Sequence, residues 1–317
     1  MSSQTSRRGA GQVPPSRWVD LDGPVHFVDY GGPDEGPLLV CVHGLGGSLV
    51  NWAAVGPALS ATCRVLALDL AGFGRTQGGR RSTSVPANRA LLHRFLVEVA
   101  GTPAILVGNS MGGAIAALQA SVHPETVAGA VLVDPALPTS ARSRSQPLVA
   151  AMFGALVLPV IGPSVLALRR RTRTSEQLVM DLLRLCCEDP SRVPADIVEQ
   201  HLALAHDRRQ FPNVDVELLT AGRSLMWLLT RRRRFAAMLH GIRVPVLLLH
   251  GDRDRLVPIG AARAAAAANP SWRLEVAQGV GHVPQLEVPE WTVGHILEWL
   301  RSDGAAAADL ARGAVDI

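Results

Sequence analysis

The order of apolar segments predicts an α/β fold, with a mostly parallel, doubly wound sheet interrupted once by a long helical insertion. Three observations carry this. Short continuous apolar runs at 38–42, 65–68, 105–107 and 130–133 alternate with helix-patterned stretches. Runs without polar alternation suit parallel strands buried on both faces, and strand–helix alternation suits crossover connections. The alternation stops after Pro135, and residues 139–235 show helical spacing and no strand pattern. Sheet pattern then returns at 246–249.

The elements follow in order. Residues 1–17 are polar, lack the apolar core of a secretion signal and read as a flexible tail. Residues 25–29 alternate and suit an early antiparallel strand. Leu91, Leu92, Phe95, Leu96 and Val99 mark a helix over 88–99. An alanine-rich helix over 111–122 follows the 105–107 strand. In the insertion, Thr174 to Gln177 has the form of a capping box ahead of an apolar face at Leu178, Leu182, Leu185 and Cys186. Val198, Leu202 and Ala205 mark a second helix; Leu218, Leu225, Met226 and Leu229 mark a third. Residues 272–276 alternate, and 292–300 suit a closing helix. The predicted division is a tail at 1–17, a core at 18–138 and 236–303, a helical insertion at 139–235, and an alanine-rich tail at 304–317.

Composition bounds the function. The chain has 317 residues, 48% hydrophobic and 18% charged, with a formal charge of +4. That is ample material for a core, and nothing suggests disorder. Arginine supplies the excess charge, clustered at 142–173 and 231–234. No helix-turn-helix, zinc-finger spacing or aromatic-basic interleaving accompanies it, so no nucleic-acid partner is expected. Cys41, Cys63, Cys186 and Cys187 show neither zinc spacing nor a disulfide framework, and a cytoplasmic location is expected. Residues 148–168 carry no charge but contain Gly154, Pro159, Gly162 and Pro163. A broken apolar helix fits them better than a membrane span. Their position beside Arg169–Arg173 leaves contact with an anionic membrane surface as a weaker reading.

The chemistry centres on Gly108-Asn109-Ser110-Met111-Gly112. This is a G-x-S-x-G turn between a strand and a helix, the context in which such a turn lifts a serine hydroxyl clear of the backbone. Serine needs a base and a group that orients the base. His282, in a glycine-rich loop after the 272–276 strand, is the expected base. Asp254, directly after the 246–249 strand, is the expected acid. Asp252 in the same loop is its rival and can instead shape the turn. Asp134, at the end of the 130–133 strand, is the alternative acid. The oxyanion hole needs two backbone N–H groups. Met111 supplies one, and Leu45, in His43-Gly44-Leu45-Gly46-Gly47, is the expected second. His43 is read as structural. This chemistry requires no metal and no organic cofactor.

The chain resembles the α/β-hydrolase fold superfamily, in its serine-nucleophile branch with a cap. The matching pieces are His43-Gly44, Asp69-Leu-Ala-Gly-Phe-Gly-Arg75, 108–113, His123-Pro124-Glu125, 251–258 and Gly281-His282-Val-Pro-Gln-Leu-Glu-Val-Pro289. The resemblance implies a mostly parallel eight-stranded sheet and a helical cap after strand six that forms most of the substrate pocket. It implies hydrolysis of a carboxylic-ester-like bond in a small apolar substrate. Ser110 stands where dehalogenases and epoxide hydrolases of this type carry aspartate. Residues 109–113 also resemble the C–C hydrolases of ring-fission products, although the loop from His43 to Ser48 departs from their longer glycine-proline form. Acyltransferase, thioesterase and non-catalytic ligand-binding readings stay open at this point.

Overall fold

The computed structural model describes residues 11, 13–138, 151, 154, 158, 159 and 161–311. Eight strands form one sheet in the order β1-β2-β4-β3-β5-β6-β7-β8. They are β1 (Arg17–Asp20), β2 (Pro24–Gly31), β3 (Leu38–Val42), β4 (Arg64–Leu68), β5 (Ala104–Asn109), β6 (Val127–Val133), β7 (Val246–Gly251) and β8 (Arg273–Ala277). β2 pairs antiparallel with both β1 and β4, and every other neighbouring pair is parallel. The eight-stranded, mostly parallel sheet is the one expected.

The continuous apolar runs have a simple cause. Side chains alternate between faces with period two, and both faces are covered. Val40, Leu106, Leu132 and Leu248 enter one buried cluster, while Cys41, Val107, Val131 and Leu249 enter the other. The first cluster is packed by α2 (Val85–Phe95), α3 (Met111–Val122), α8 (Arg232–His240) and α9 (Ile259–Ala268). The second is packed in part by the one-turn helices α1 (Gly56–Leu59) and α10 (Pro284–Glu287) and by α11 (Pro289–Arg301) and α12 (Ala305–Ala311). The helix placed at 88–99 begins earlier, because Ser84 caps it through the Ala87 N–H, and its last turn widens into a π-turn at Leu96–Ala100.

Among the described residues, four further helices lie between β6 and β7: α4 (Ile161–Thr172), α5 (Ser175–Cys186), α6 (Ala195–Arg208) and α7 (Val214–Thr230), with α8 closing the run. The capping box at Thr174 is present: the Gln177 N–H donates to Thr174 Oγ1, and the Thr174 N–H donates to Gln177 Oε1. No described helix is long and apolar enough to cross a membrane. Much of the uncharged stretch at 148–168 lies outside the described residues, as do Arg142 and Arg144.

Two expectations need correction at the ends of the chain. Residues 304–317 are not simply a tail, because α12 buries Ala307, Ala308 and Ala311 against β5 and β6. Gly129 makes this approach possible, since a Cβ there would stand 2.8 Å from the Ala307 methyl. Nor is all of 1–17 free. Gln200 of α6 accepts the Val13 N–H and donates to the Gly11 carbonyl, Ser16 meets His26 Nε2 at 2.8 Å, and Arg17 already belongs to the sheet.

Candidate active site

The polar groups gather at the carboxyl ends of the parallel strands, where loops leave an open α/β sheet. Ser110 sits between the last residue of β5 and the first of α3, with φ +56° and ψ −118°. Positive φ is costly for a residue with a Cβ, by roughly 1–3 kcal/mol. The surroundings impose it. The Ser110 N–H donates to the Val133 carbonyl, and its own carbonyl accepts from Ala114 and Ala136. Glycine is required alongside, because a Cβ on Gly44 would stand 2.9 Å from Ser110 Cβ.

The loop facing Ser110 is held by buried polar groups. His43 Nε2 accepts the Leu70 N–H, and its Nδ1–H donates to the Gly44 carbonyl, which assigns one neutral tautomer. Burial pushes its pKa down. Asp69 accepts from the Leu49 and Arg75 N–H groups and from His26, tying this loop to the sheet. Among the described residues, the Leu45 and Met111 N–H groups make no hydrogen bond. Leu45 itself lines the cavity, while the Met111 side chain is buried in the core beneath it.

Of the three candidate acids, Asp254 meets the histidine: its Oδ2 lies 2.7 Å from His282 Nδ1. Its Oδ1 accepts the Leu256 and Val257 N–H groups. Desolvation alone would raise this carboxyl. The His282 imidazole, His250 and the Val257 N–H outweigh that and hold it below the ordinary carboxylate range. Asp252 accepts the Gly279 N–H and shapes the turn. Asp134 accepts the Gly251 N–H through Oδ1, and its Oδ2 meets no donor. Oxygen and nitrogen atoms of Asp134, Asp254 and His282 lie within 4.8 Å of one another. Burial first, and the Asp254 carboxylate second, push Asp134 well above the usual range. A proton on Asp134 removes the repulsion and makes it a donor towards Asp254.

His282 is pinned from several sides. Its N–H donates to the Cys186 carbonyl at the end of α5, and its carbonyl accepts from Asn109 Nδ2. Buried Glu287 accepts the N–H groups of Gly281, Glu188 and Asp189, and Arg192 donates to it as well. Sequence reasoning gave no role to Glu287, although it lies within the 281–289 segment. It also overlooked His250, whose Nε2–H donates to the Val257 carbonyl and lies 3.6 Å from both Asp134 and Asp254. His250 lies inside β7, one residue before its end, so the strand pattern was its only local signal.

Ser110, His282, Leu45 and Asn109 border one cavity of about 680 Å³. Its remaining lining comes largely from aliphatic side chains of the helices between β6 and β7, such as Leu183, Leu204, Leu218 and Leu225, and no Phe, Tyr or Trp is among the described lining residues. His201 also faces it, with Nε2 unpartnered and the imidazole pushed down to about 4 by burial.

The comparisons agree with this arrangement at the level of the fold. The chain is 26% identical over 285 residues to the dihydrolipoyllysine-residue acetyltransferase component of an acetoin cleaving system of Pseudomonas putida, covering 90% of this chain and 66% of that protein's length. It is 29% identical over 258 residues to a pimeloyl-[acyl-carrier protein] methyl ester esterase of Yersinia pseudotuberculosis, covering 79% and 88% of the two chains. A solved bacterial membrane phospholipase A superposes with a TM-score of 0.72 at 27% identity, covering 93% and 88%. The sequence profile of the alpha/beta hydrolase fold matches residues 37–289, which takes in the strand ends that carry Ser110, Asp254 and His282. The chain belongs to the α/β-hydrolase fold family.

Proposed function

We propose that this chain is a serine hydrolase that cleaves a carboxylic ester with an aliphatic acyl part through an acyl-enzyme. One observation carries the reading: His282, with Nδ1 bonded at 2.7 Å to Asp254, borders the same aliphatic cavity as Ser110. With Nδ1 engaged, Nε2 is the nitrogen left to take the Ser110 proton as the hydroxyl attacks the carbonyl. The Leu45 and Met111 N–H groups receive the oxyanion, each contributing on the order of 10²–10³ in turnover. His282 then protonates the leaving alcohol and activates the water that frees the acid. Every step uses the chain's own groups and water.

The helices at 161–240 act as the cap in this reading, because they supply most of the cavity wall. Likeness to a methyl ester esterase and a phospholipase A supports an ester as the scissile bond. Asn109, which opens the 109–113 segment that resembles the C–C hydrolases of ring-fission products, spends its amide on the Val133 and His282 carbonyls.

The test pairs a fluorophosphonate probe with turnover of p-nitrophenyl octanoate. Labelling at Ser110 and loss of turnover in a folded Ser110→Ala variant are expected. Unlabelled Ser110, or turnover retained in the variant, sinks the proposal. Faster cleavage of a vinylogous 1,5-diketone than of any ester replaces it with the C–C reading, and faster transfer to an acyl acceptor than to water replaces it with the acyltransferase reading.

A further inference from the structure

The cavity is asymmetric in charge along its length. All seven of the α7 residues Val214, Asp215, Leu218, Leu225, Met226, Leu229 and Thr230 border it, so it follows one face of that helix from end to end. Sixteen residue steps at 1.5 Å make that face about 24 Å long. The loop beside Ser110 meets the helix between these ends. Leu218 packs near Gly46, and Leu45 lies against Gly222.

From that meeting point the two directions differ. Towards the carboxyl end of α7 the wall is Leu225, Met226 and Leu229, with Arg232 just past the helix as its single described arginine against four at the other end. Towards the amino end it is arginine: Arg169 and Arg170 from α4, Arg208 from α6, and the adjoining Arg209. All basic residues in this chain are arginine, and residues 161–240 hold 13 of them against 9 acids, a local excess of 13 − 9 = +4.

Carboxylates pair with this cluster only loosely. Arg170 stands 3.7 Å from Asp215, and Arg169 stands 3.9 Å from Asp181. Arg209 spends its guanidinium on the Arg170 and Arg173 carbonyls, which gathers the cluster at the end of α4. Arg208 donates to the Gly72 and Gly74 carbonyls, and no described carboxylate lies within ion-pair distance of it. Arg169 and Arg170 are 44% and 50% exposed, so the cluster forms a mouth open to a ligand's charged end. Guanidinium groups bind phosphate through paired N–H donors, a stronger contact than a neutral hydrogen bond.

We propose that the arginine end of this cavity binds a phosphate on the alcohol part of the substrate, while the aliphatic end takes a long acyl chain. The substrate class is then a single-chain acyl ester of a short phosphorylated polyol, as in a lysophospholipid. Spacing separates this from an acyl thioester of coenzyme A. One to two turns of α7, about 5–10 Å, separate the Leu45 loop from the Asp215 end. A glycerol phosphate spans that distance, whereas the pantetheine arm of coenzyme A carries its phosphates well past it. This inference rests on the ester-hydrolase reading for the word substrate, but its test does not require turnover.

The test measures binding of three uncleavable probes to the full chain below their critical micelle concentrations: hexadecyl glycerol ether, its 3-phosphate, and S-hexadecyl coenzyme A. The phosphate ether is expected to bind about tenfold or more tighter than the neutral ether, an advantage that shrinks as salt screens the contact. Arg169→Gln with Arg170→Gln should cut the advantage to below about threefold, and Asp215→Asn, which removes the competing carboxylate, should enlarge it. Equal binding of the two ethers overturns the proposal. So does an advantage that ignores salt and both substitutions, or an equal advantage for the coenzyme A probe. If the double arginine variant does not fold, the salt series and Asp215→Asn still decide. Absent turnover of p-nitrophenyl octanoate alongside a phosphate preference sinks the hydrolase reading and leaves the anion site standing.

Discussion

The sheet side of the cavity and its helical side are built on different terms. On the sheet side, the groups around Ser110 have named partners at short range: Asp254 with His282 at 2.7 Å, His43 with Gly44 and Leu70, Asp69 with Leu49 and Arg75. On the helical side, the cavity-lining Arg169 and Arg170 meet carboxylates only at 3.7–3.9 Å, and Arg208 and Arg209 donate to carbonyls. Chemistry needs atoms held to fractions of an ångström. Recognition of a flexible chain and a charged head tolerates looser walls. The difference teaches where to look for reactivity and where to look for substrate choice.

The sharpest break in this comparison is at Ser110. Ser110→Ala is expected to lower kcat by at least about 10⁴-fold with the fold intact, read by ester turnover and circular dichroism. Ser110→Gly should be equally inactive. It should also melt no lower than Ser110→Ala, because glycine relieves the strain of φ +56°. A lower melting temperature for the glycine variant would mean that the elbow is not strained.

Next in size is the contrast between the two carboxyls. Asp254→Asn should cost about 10⁴ in kcat, since the imidazole loses the partner that sets its tautomer. Asp134→Asn should cost less than about tenfold, because an amide still offers Asp254 a donor. A reversed order would make Asp134 the orienting acid. The upward shift of the Asp134 carboxyl also has a pH signature. A carboxyl whose folded pKa is raised contributes stability that is fully present below its unfolded pKa and is lost as pH rises through the folded one. Asp134→Asn should therefore flatten the fall of melting temperature as pH rises above the ordinary carboxylate range.

Legibility in the sequence divides along the same line. Ser110, Asp254, His282, Leu45 and Met111 stood out as candidates because each follows a strand, with a continuous apolar run in every case but that of His282, and a turn at a strand end is a local signal. β1 was not readable, for its four residues are mostly exposed and leave no pattern. The alanines of α12 were not readable either. Their partner is Gly129, far away in the chain, and alanine against glycine leaves no amphipathic contrast. The asymmetry of the helical wall was hidden for another reason: Arg170, Arg209 and Asp215 converge only through the packing of α4, α6 and α7. As a sequence, they were an arginine-rich surface.

Glu287 is where the two sides are joined, and it is the third point to test. It is buried and accepts N–H groups from Gly281 on one side and from Glu188 and Asp189 on the other. Glu287→Gln keeps the volume, removes the charge and turns one acceptor into a donor. Leaving buried N–H groups unpaired costs about 1–3 kcal/mol. Urea unfolding should show that loss, and kcat should fall with it, because the same contact fixes the loop of His282. Stability lost without any change in kcat would mean that the histidine loop is held by Cys186 and Asn109 alone.

The smallest expected effect lies at the other end of α5. Thr174→Ala removes the capping box, at about 1 kcal/mol. For a domain of this size that lowers the melting temperature by about 2 °C. The cap is exposed, and α5 reaches His282 only through its last turn, at the Cys186 carbonyl. Fraying at the first turn of a helix does not travel far when the last turn is anchored by Glu287 and by the packing of Val179 and Leu183. The ester kcat should therefore stay within about twofold of the parent while the melting temperature falls. A drop in kcat beyond the loss of folded protein would mean that α5 moves as one rod, and that the helical wall positions the catalytic histidine as well as choosing the substrate.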